Sequence, residues 1–170
     1  MSESLIELCK HNVWANQCLF EACEELSDAQ LDAAIAGSFG NIRSTLVHIV
    51  GAQERFAAAL GETGPVEVIR ERGPFPGLAA LQDEVRASGE ALVGLAARAQ
   101  PGAVVTTSWR GEAYTLPAWV LLAQAITHAT EHRTQVSAIL TQQGIEPPSL
   151  DVWTYHEDRF DADWSRLWSS

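Results

Sequence analysis

Apolar side chains recur every three or four residues in four long segments of the chain, which is the spacing of amphipathic helices. The first segment extends from about Ser4 to Leu26, and the second from about Asn41 to Leu60. The third extends from Leu78 to about Ala99, and the fourth from Pro117 to Gln143, where Gly144 suits a helix C-terminus. Four amphipathic helices of this length predict an all-α four-helix bundle.

The segments between these helices carry turn and strand signals. Gly61 to Gly77 is rich in glycine and proline, which predicts a long loop between the second and third helices. Two β-rich runs, Val104–Trp109 and Ala113–Leu116, flank Arg110-Gly111 and predict a small hairpin before the fourth helix. Ser149 to Ser170 is predicted to be a C-terminal acidic tail. This tail contains three tryptophans, which are Trp153, Trp164 and Trp168. They indicate that the tail packs against another surface.

Length and charge narrow the class of protein. A chain of 170 residues can bury a core without disulfides, so residues 1–170 are expected to form a single domain. The formal net charge of -11 disfavours nucleic acid and anionic membranes as partners. No apolar stretch approaches the roughly 20 residues that span a bilayer, and the N-terminus shows no signal-peptide pattern. We therefore expect a cytoplasmic protein with reduced thiols at Cys9, Cys18 and Cys23.

Two histidines, His128 and His132, lie four residues apart within the fourth predicted helix. They belong to an apolar stripe that comprises Leu121, Ala125, His128, His132, Val136 and Ile139. Helical spacing places both imidazoles on one face, where they can bind the same metal ion. Burying two adjacent imidazoles among apolar residues costs desolvation, which a divalent cation offsets. The alternative is a pair of core histidines that are bonded to backbone carbonyls or hydroxyl groups.

A third ligand must come from another segment, because two histidines on one helix rarely hold a divalent metal tightly. The remaining histidines are His11, His48 and His156. His48 lies between Val47 and Ile49 in an apolar helix, whereas His11 follows a lysine and His156 precedes two acidic residues. His48 is therefore the preferred third ligand. The alternative is an edge histidine that covers the side of the second helix.

Five segments carry a pattern that matches a known family, and they are Asn12–Asn16, Gly37–Ile49, Arg110–Glu112, His128–Gln135 and Gly144–Asp151. Together they resemble the DinB or YfiT-like family of metal-binding four-helix bundles, over nearly the full chain. His128–Gln135 is similar to the family's ligand motif His-x-x-x-His-Arg-Gly-Gln. Gly37–Ile49 is similar to the start of the family's second helix, which carries the first ligand. The resemblance implies that His48, His128 and His132 are the three metal ligands.

Three positions depart from the pattern of many family sequences, namely Thr127, Glu131 and Thr134. Departures beside ligands affect substrate and metal preference more than metal binding itself. Glu131 is a weak catalytic candidate that would orient a ligand or act as a general base. The alternative is a surface carboxylate that supports Gln135 one turn further on. Arg133 and Gln135 match the motif, and neither is assigned a catalytic role.

Three neutral imidazoles leave a divalent metal with an open position, which is typical of catalytic sites. The resemblance favours a metal-dependent enzyme that performs S-transfer onto a small-molecule substrate, with a low-molecular-weight thiol such as bacillithiol, mycothiol or glutathione. Trp109, Tyr114 and Trp119 are candidates for the wall of an acceptor pocket, and the alternative is that they pack in the core or at its rim. The alternatives are a metal-dependent hydrolase and a non-catalytic, metal-binding stress-response bundle.

Three histidines suit Zn, Ni, Fe, Co or Cu, and zinc or nickel is the preferred metal. The tryptophan-bearing tail and the family resemblance together favour a homodimer. The alternative is that the tail packs within its own chain.

Overall fold

The computed structural model of the chain describes residues 2–61, 73–109 and 111–160. The helices and strands of this part of the chain are α1 (Glu3–Ala22), α2 (Asp28–Leu31), α3 (Ile42–Leu60), α4 (Leu78–Arg98), β1 (Val104–Trp109), β2 (Glu112–Pro117), α5 (Ala118–Gln142) and α6 (Val152–Phe160). The four long helices are the four that the hydrophobic pattern predicts, so the all-α fold is confirmed. Most of the predicted long loop, residues 62–72, lies outside the described residues.

The first helix ends four residues earlier than its apolar stripe predicts. Ser27 forms a capping box with Gln30 and adopts an extended backbone, with ψ at 160°, to begin α2. The chain must therefore leave the helical conformation before Ser27, and it does so through a turn that starts at Cys23. Leu26 still packs against the core from this turn, which explains why the apolar spacing continues past Ala22. The N-cap of α1 is Ser2, two residues before the predicted start of the helix at Ser4.

The four long helices pack around one core. Helices α1 and α3 each pack against both α4 and α5, so α1 and α3 occupy opposite corners of the bundle. The largest fully buried side chains include Leu19, Phe20, Ile42, Leu46, Leu81, Leu122, Ile139 and Leu140. Because α3 lies directly beside α5, residues on the facing sides of these two helices are brought together.

The predicted hairpin is present at the start of α5. Strands β1 and β2 are antiparallel, with Val105 opposite Leu116 and Thr107 opposite Tyr114. Val105 is buried and packs with Ala118 and Leu121, so the hairpin contributes to the core beside the first turn of α5. None of the helices within the described ranges is long and apolar enough to cross a membrane.

Part of the predicted acidic tail forms helix α6, which packs against α1. Tyr155 of α6 is buried, and its ring lies 5.4 Å from the ring of Trp14. The Nε1–H of Trp14 donates to Asp158 at 2.9 Å. Trp153 is 55% exposed, while Trp164 and Trp168 lie outside the described residues. Within the described residues, the tail thus packs through Tyr155 of α6 against Trp14 of α1, whereas its own Trp153 is more than half exposed.

Candidate metal centre

The structure brings His48 of α3 together with His128 and His132 of α5. One ring nitrogen of each histidine lies within 4.8 Å of the other two. This cluster holds the three residues that apolar context and spacing selected from the sequence. Its position follows from the fold, because α3 and α5 are neighbours and the two histidines of α5 face α3 on successive turns.

The distances in the cluster suit shared coordination of one ion. Nε2 of His48 lies 3.1 Å from Nε2 of His128. Two nitrogens bound tetrahedrally to zinc at about 2.0–2.1 Å are about 3.3 Å apart, so this pair needs little movement to bind one ion. The ring of His132 lies 4.7 Å from that of His48 and 4.5 Å from that of His128, measured between centroids. The donor set therefore fits a divalent transition metal.

Two phenylalanine rings contact the cluster. The ring of Phe39 stacks on His48 at 4.0 Å, with 17° between the planes, and meets His132 edge-on at 5.3 Å. The ring of Phe56 lies 5.9 Å from that of His128. His132 is only 6% exposed, whereas Phe39 is 50% exposed. The cluster is thus covered from solvent on one side by a half-exposed phenylalanine.

Gln135 supports the cluster from the next turn of α5. Its Oε1 atom lies 3.1 Å from Nδ1 of His132 and accepts a hydrogen bond of 3.0 Å from the backbone N–H of Phe39. Histidine ligands usually bond through their second nitrogen to such a partner, which orients the ring. Gln135 matches the family motif, but its contact with Phe39 joins residues 96 positions apart, so no local sequence signal predicts it.

Arg133, the residue after His132, enters a separate buried network. Its Nη1 atom donates to Asn12 and Asn16 of α1, at 2.7 Å each, and its Nη2 atom donates to Thr130 at 2.8 Å. Gln53 of α3 accepts from both asparagines. Burial lowers the pKa of the Arg133 guanidinium to about 10, so it stays charged at neutral pH. Arg133 thus has a structural role, in which two amide oxygens and one hydroxyl oxygen accept its hydrogen bonds.

The other candidate residues lie outside the histidine cluster. Nε2–H of His11 donates to the carbonyl oxygen of Leu150 at 2.9 Å, and His156 lies on α6. Glu131 is exposed on α5, and the cluster of three histidines does not include it. Tyr114 and Trp119 are 49% and 56% exposed, and the side chain of Trp109 is outside the described residues.

The fold and the cluster define a four-helix bundle with a candidate metal site of three histidines. The model of the DinB family matches residues 1–163, and the chain therefore belongs to the DinB family. A solved structure with the same fold is that of a DinB-like protein from Bacillus cereus ATCC 10987, which is 19% identical. The match covers 86% of this chain and 95% of that chain, with a TM-score of 0.66. No curated protein matches the sequence.

Proposed function

We propose that this protein is a metal-dependent enzyme that transfers a low-molecular-weight thiol onto an electrophilic small molecule. The observation that carries the proposal is the convergence of His48, His128 and His132 on one point. All three ligands are neutral, so a bound divalent ion keeps its charge and has room for a further ligand. Membership of the DinB family supports a metal-binding role for the same three residues.

A divalent ion in this site supplies one chemical effect, which is to lower the pKa of a thiol or water that it coordinates. The thiol proton passes to solvent, and the sulfur forms a bond to an electrophilic carbon of the acceptor. The leaving group departs from that carbon with the bonding electrons. The protein holds the three imidazoles in place from two adjacent helices, and Phe39 limits the access of water on one side.

The composition of the cluster favours a thiol over water as the nucleophile. Among the described residues, the cluster of potential ligands contains three histidines and no carboxylate. Hydrolysis commonly uses a carboxylate as a general base, whereas coordination alone deprotonates a thiol. Glu131, the weak candidate for such a base, is exposed. Zinc or nickel is the proposed metal, and iron, cobalt and copper also bind three-histidine sites.

The first experiment compares the metal content of the wild type and of His128→Ala after purification without a polyhistidine tag. We expect about one equivalent of metal in the wild type and none in His128→Ala, measured by elemental mass spectrometry. His156→Ala is the matched control, because this residue lies on α6 and outside the cluster. Its metal content should equal that of the wild type.

The second step assays the metal-loaded protein with glutathione, mycothiol or bacillithiol and a chromogenic electrophile. Turnover that requires both thiol and metal supports S-transfer. Turnover of an ester or amide without thiol would instead establish a hydrolase. A wild type that binds no metal, even when supplied with zinc, nickel, iron and cobalt in turn, would contradict the proposal altogether.

A further inference from the structure

The side-chain oxygen of Gln135 contacts two groups that have no covalent connection to each other. One is Nδ1 of His132, at 3.1 Å, and the other is the backbone N–H of Phe39, at 3.0 Å. A backbone N–H can only donate, so the oxygen of the amide must face Phe39. Since the same oxygen faces His132, Nδ1 of that ring must carry a proton. The lone pair of His132 is then on Nε2, the nitrogen left free for a metal.

The loop that carries Phe39 has its own internal support. The Ser38 hydroxyl lies 2.8 Å from the carbonyl oxygens of Ile35 and Gly40, and Gly37 adopts a positive φ of 87° that glycine tolerates. These contacts set the shape of the turn before α3. The bond from Phe39 to Gln135 attaches that turn to α5, at the point where the Phe39 ring lies over His48.

We propose that Gln135 is a positioning residue that couples metal binding to the placement of Phe39 over the site. The inference rests on the proposed metal site. A cation at Nε2 makes the Nδ1–H of His132 a stronger donor, which restricts Gln135 to the rotamer that also reaches Phe39. By linkage, the bond to Phe39 favours metal binding to the same extent. A bound metal ion would thereby hold Phe39 over the site, and an empty site would leave Phe39 less firmly placed.

The test uses three variants of the full chain. Gln135→Leu keeps a similar side-chain shape and removes the acceptor, whereas Gln135→Glu retains an acceptor oxygen. Gln124→Leu is the matched control, since Gln124 is an exposed glutamine of the same helix. The measurements are zinc affinity by chelator competition, the ¹⁵N shifts of the His132 ring without metal, and hydrogen exchange of the Phe39 amide with and without zinc.

We expect Gln135→Leu to weaken zinc binding by about 10- to 100-fold, a loss typical of removing the hydrogen-bond partner of a ligand. Gln135→Glu should recover most of this affinity, and Gln124→Leu should bind as the wild type does. Zinc should slow exchange of the Phe39 amide in the wild type and leave it unchanged in Gln135→Leu. The ¹⁵N shifts should show a protonated Nδ1 on His132 in the wild type and a mixture of tautomers in Gln135→Leu.

Two results would overturn the inference in different ways. Equal zinc affinity and equal Phe39 exchange in the wild type and Gln135→Leu would refute the coupling and leave the metal site intact. A wild type that binds neither zinc nor nickel would refute both the coupling and the proposed function. Zinc binding by the wild type separates these two cases, and the ¹⁵N shifts of the metal-free protein report on the contact between Gln135 and His132 in both.

Discussion

His132 and Arg133 are consecutive residues of α5, yet their side chains belong to two polar sites of different character. Arg133 is 3% exposed and donates to amide and hydroxyl oxygens that the protein itself supplies. His132 is also buried, but it faces two other imidazoles whose nitrogens converge on the same point. Around Arg133 the protein supplies both the hydrogen-bond donors and the acceptors. In the histidine cluster it supplies nitrogen lone pairs, which suit a cation.

One helix thus carries a polar network with a structural role beside a candidate site for metal chemistry. The Arg133 network joins α1, α3 and α5, and it reaches α4 where Gln53 donates to the carbonyl oxygen of Val85 at 2.6 Å. A network that links all four helices of a bundle specifies how they pack. In the part of the chain that the structure describes, the three histidines of the cluster come from α3 and α5, and they lie beneath the half-exposed Phe39. We therefore expect mutations to separate stability from metal binding.

The largest effect on stability is expected from Arg133→Met, which keeps the aliphatic volume and removes the guanidinium. The oxygens of Asn12 and Asn16 then lose their donor, at about 1–3 kcal/mol each, and relief of the buried charge offsets part of that loss. The free energy of unfolding should fall by about 2–4 kcal/mol, measured by urea denaturation of the metal-free protein. His128→Ala, treated in the same way, should change it much less, and an equal loss in both variants would break the comparison.

A smaller effect is expected where α4 approaches the network. A Cβ atom at Gly89 would lie 2.7 Å from Cγ2 of Val13 and 3.3 Å from Nε2 of Gln53. Gly89→Ala should therefore lower the free energy of unfolding by about 1–3 kcal/mol, as overpacking does. The matched control is Gly94→Ala, whose Cβ would meet only the flexible end of Arg98 at 3.2 Å. This control should gain about 0.5–1 kcal/mol from helix propensity, and a loss in both variants would show that the contact at Gly89 is not special.

The smallest effect is a pH dependence at His11, which lies in a third polar environment. Burial lowers the pKa of His11 below 6.5, and Arg133 lowers it further, while the carbonyl of Leu150 and the charge of Asp151 raise it. Because the folded protein lowers the pKa of His11, the unfolded chain binds a proton at His11 more readily than the folded protein does. The folded state is therefore not penalised by His11 above pH 6.5, and it loses stability relative to the unfolded chain as the pH falls below that value. Between pH 7.5 and 5.5 the wild type should lose more stability than His11→Gln, whose amide can still donate to Leu150. Parallel losses in thermal denaturation would contradict this assignment.

The sequence was sufficient to predict the four long helices and to select the three histidines that the structure brings close together. Periodic apolar residues mark the long helices because each buries one face, and His48, His128 and His132 lie on or beside such faces. The partners of Gln135 and Arg133 were not predictable, because Phe39 and Asn12 lie 96 and 121 residues away from them. Helix α6 was not predicted because it has only nine residues and is held by contacts with α1, such as the hydrogen bond from Trp14 to Asp158, 144 residues away. Its local start signal is Asp151, which accepts from the backbone N–H groups of Trp153 and Thr154. Metal binding by the three histidines stays a prediction until an ion is measured.

His48 and His128 are 80 residues apart in the chain. An ion held between them would close a loop that contains all of α4 and the hairpin, in a protein whose three cysteines are free. Closing a long loop restricts the unfolded chain much as a disulfide does. Unlike a disulfide, this cross-link would be reversed by a chelator and would require no change in redox conditions. The same ion would thereby cross-link two distant parts of the chain as well as activate the ligand that it binds.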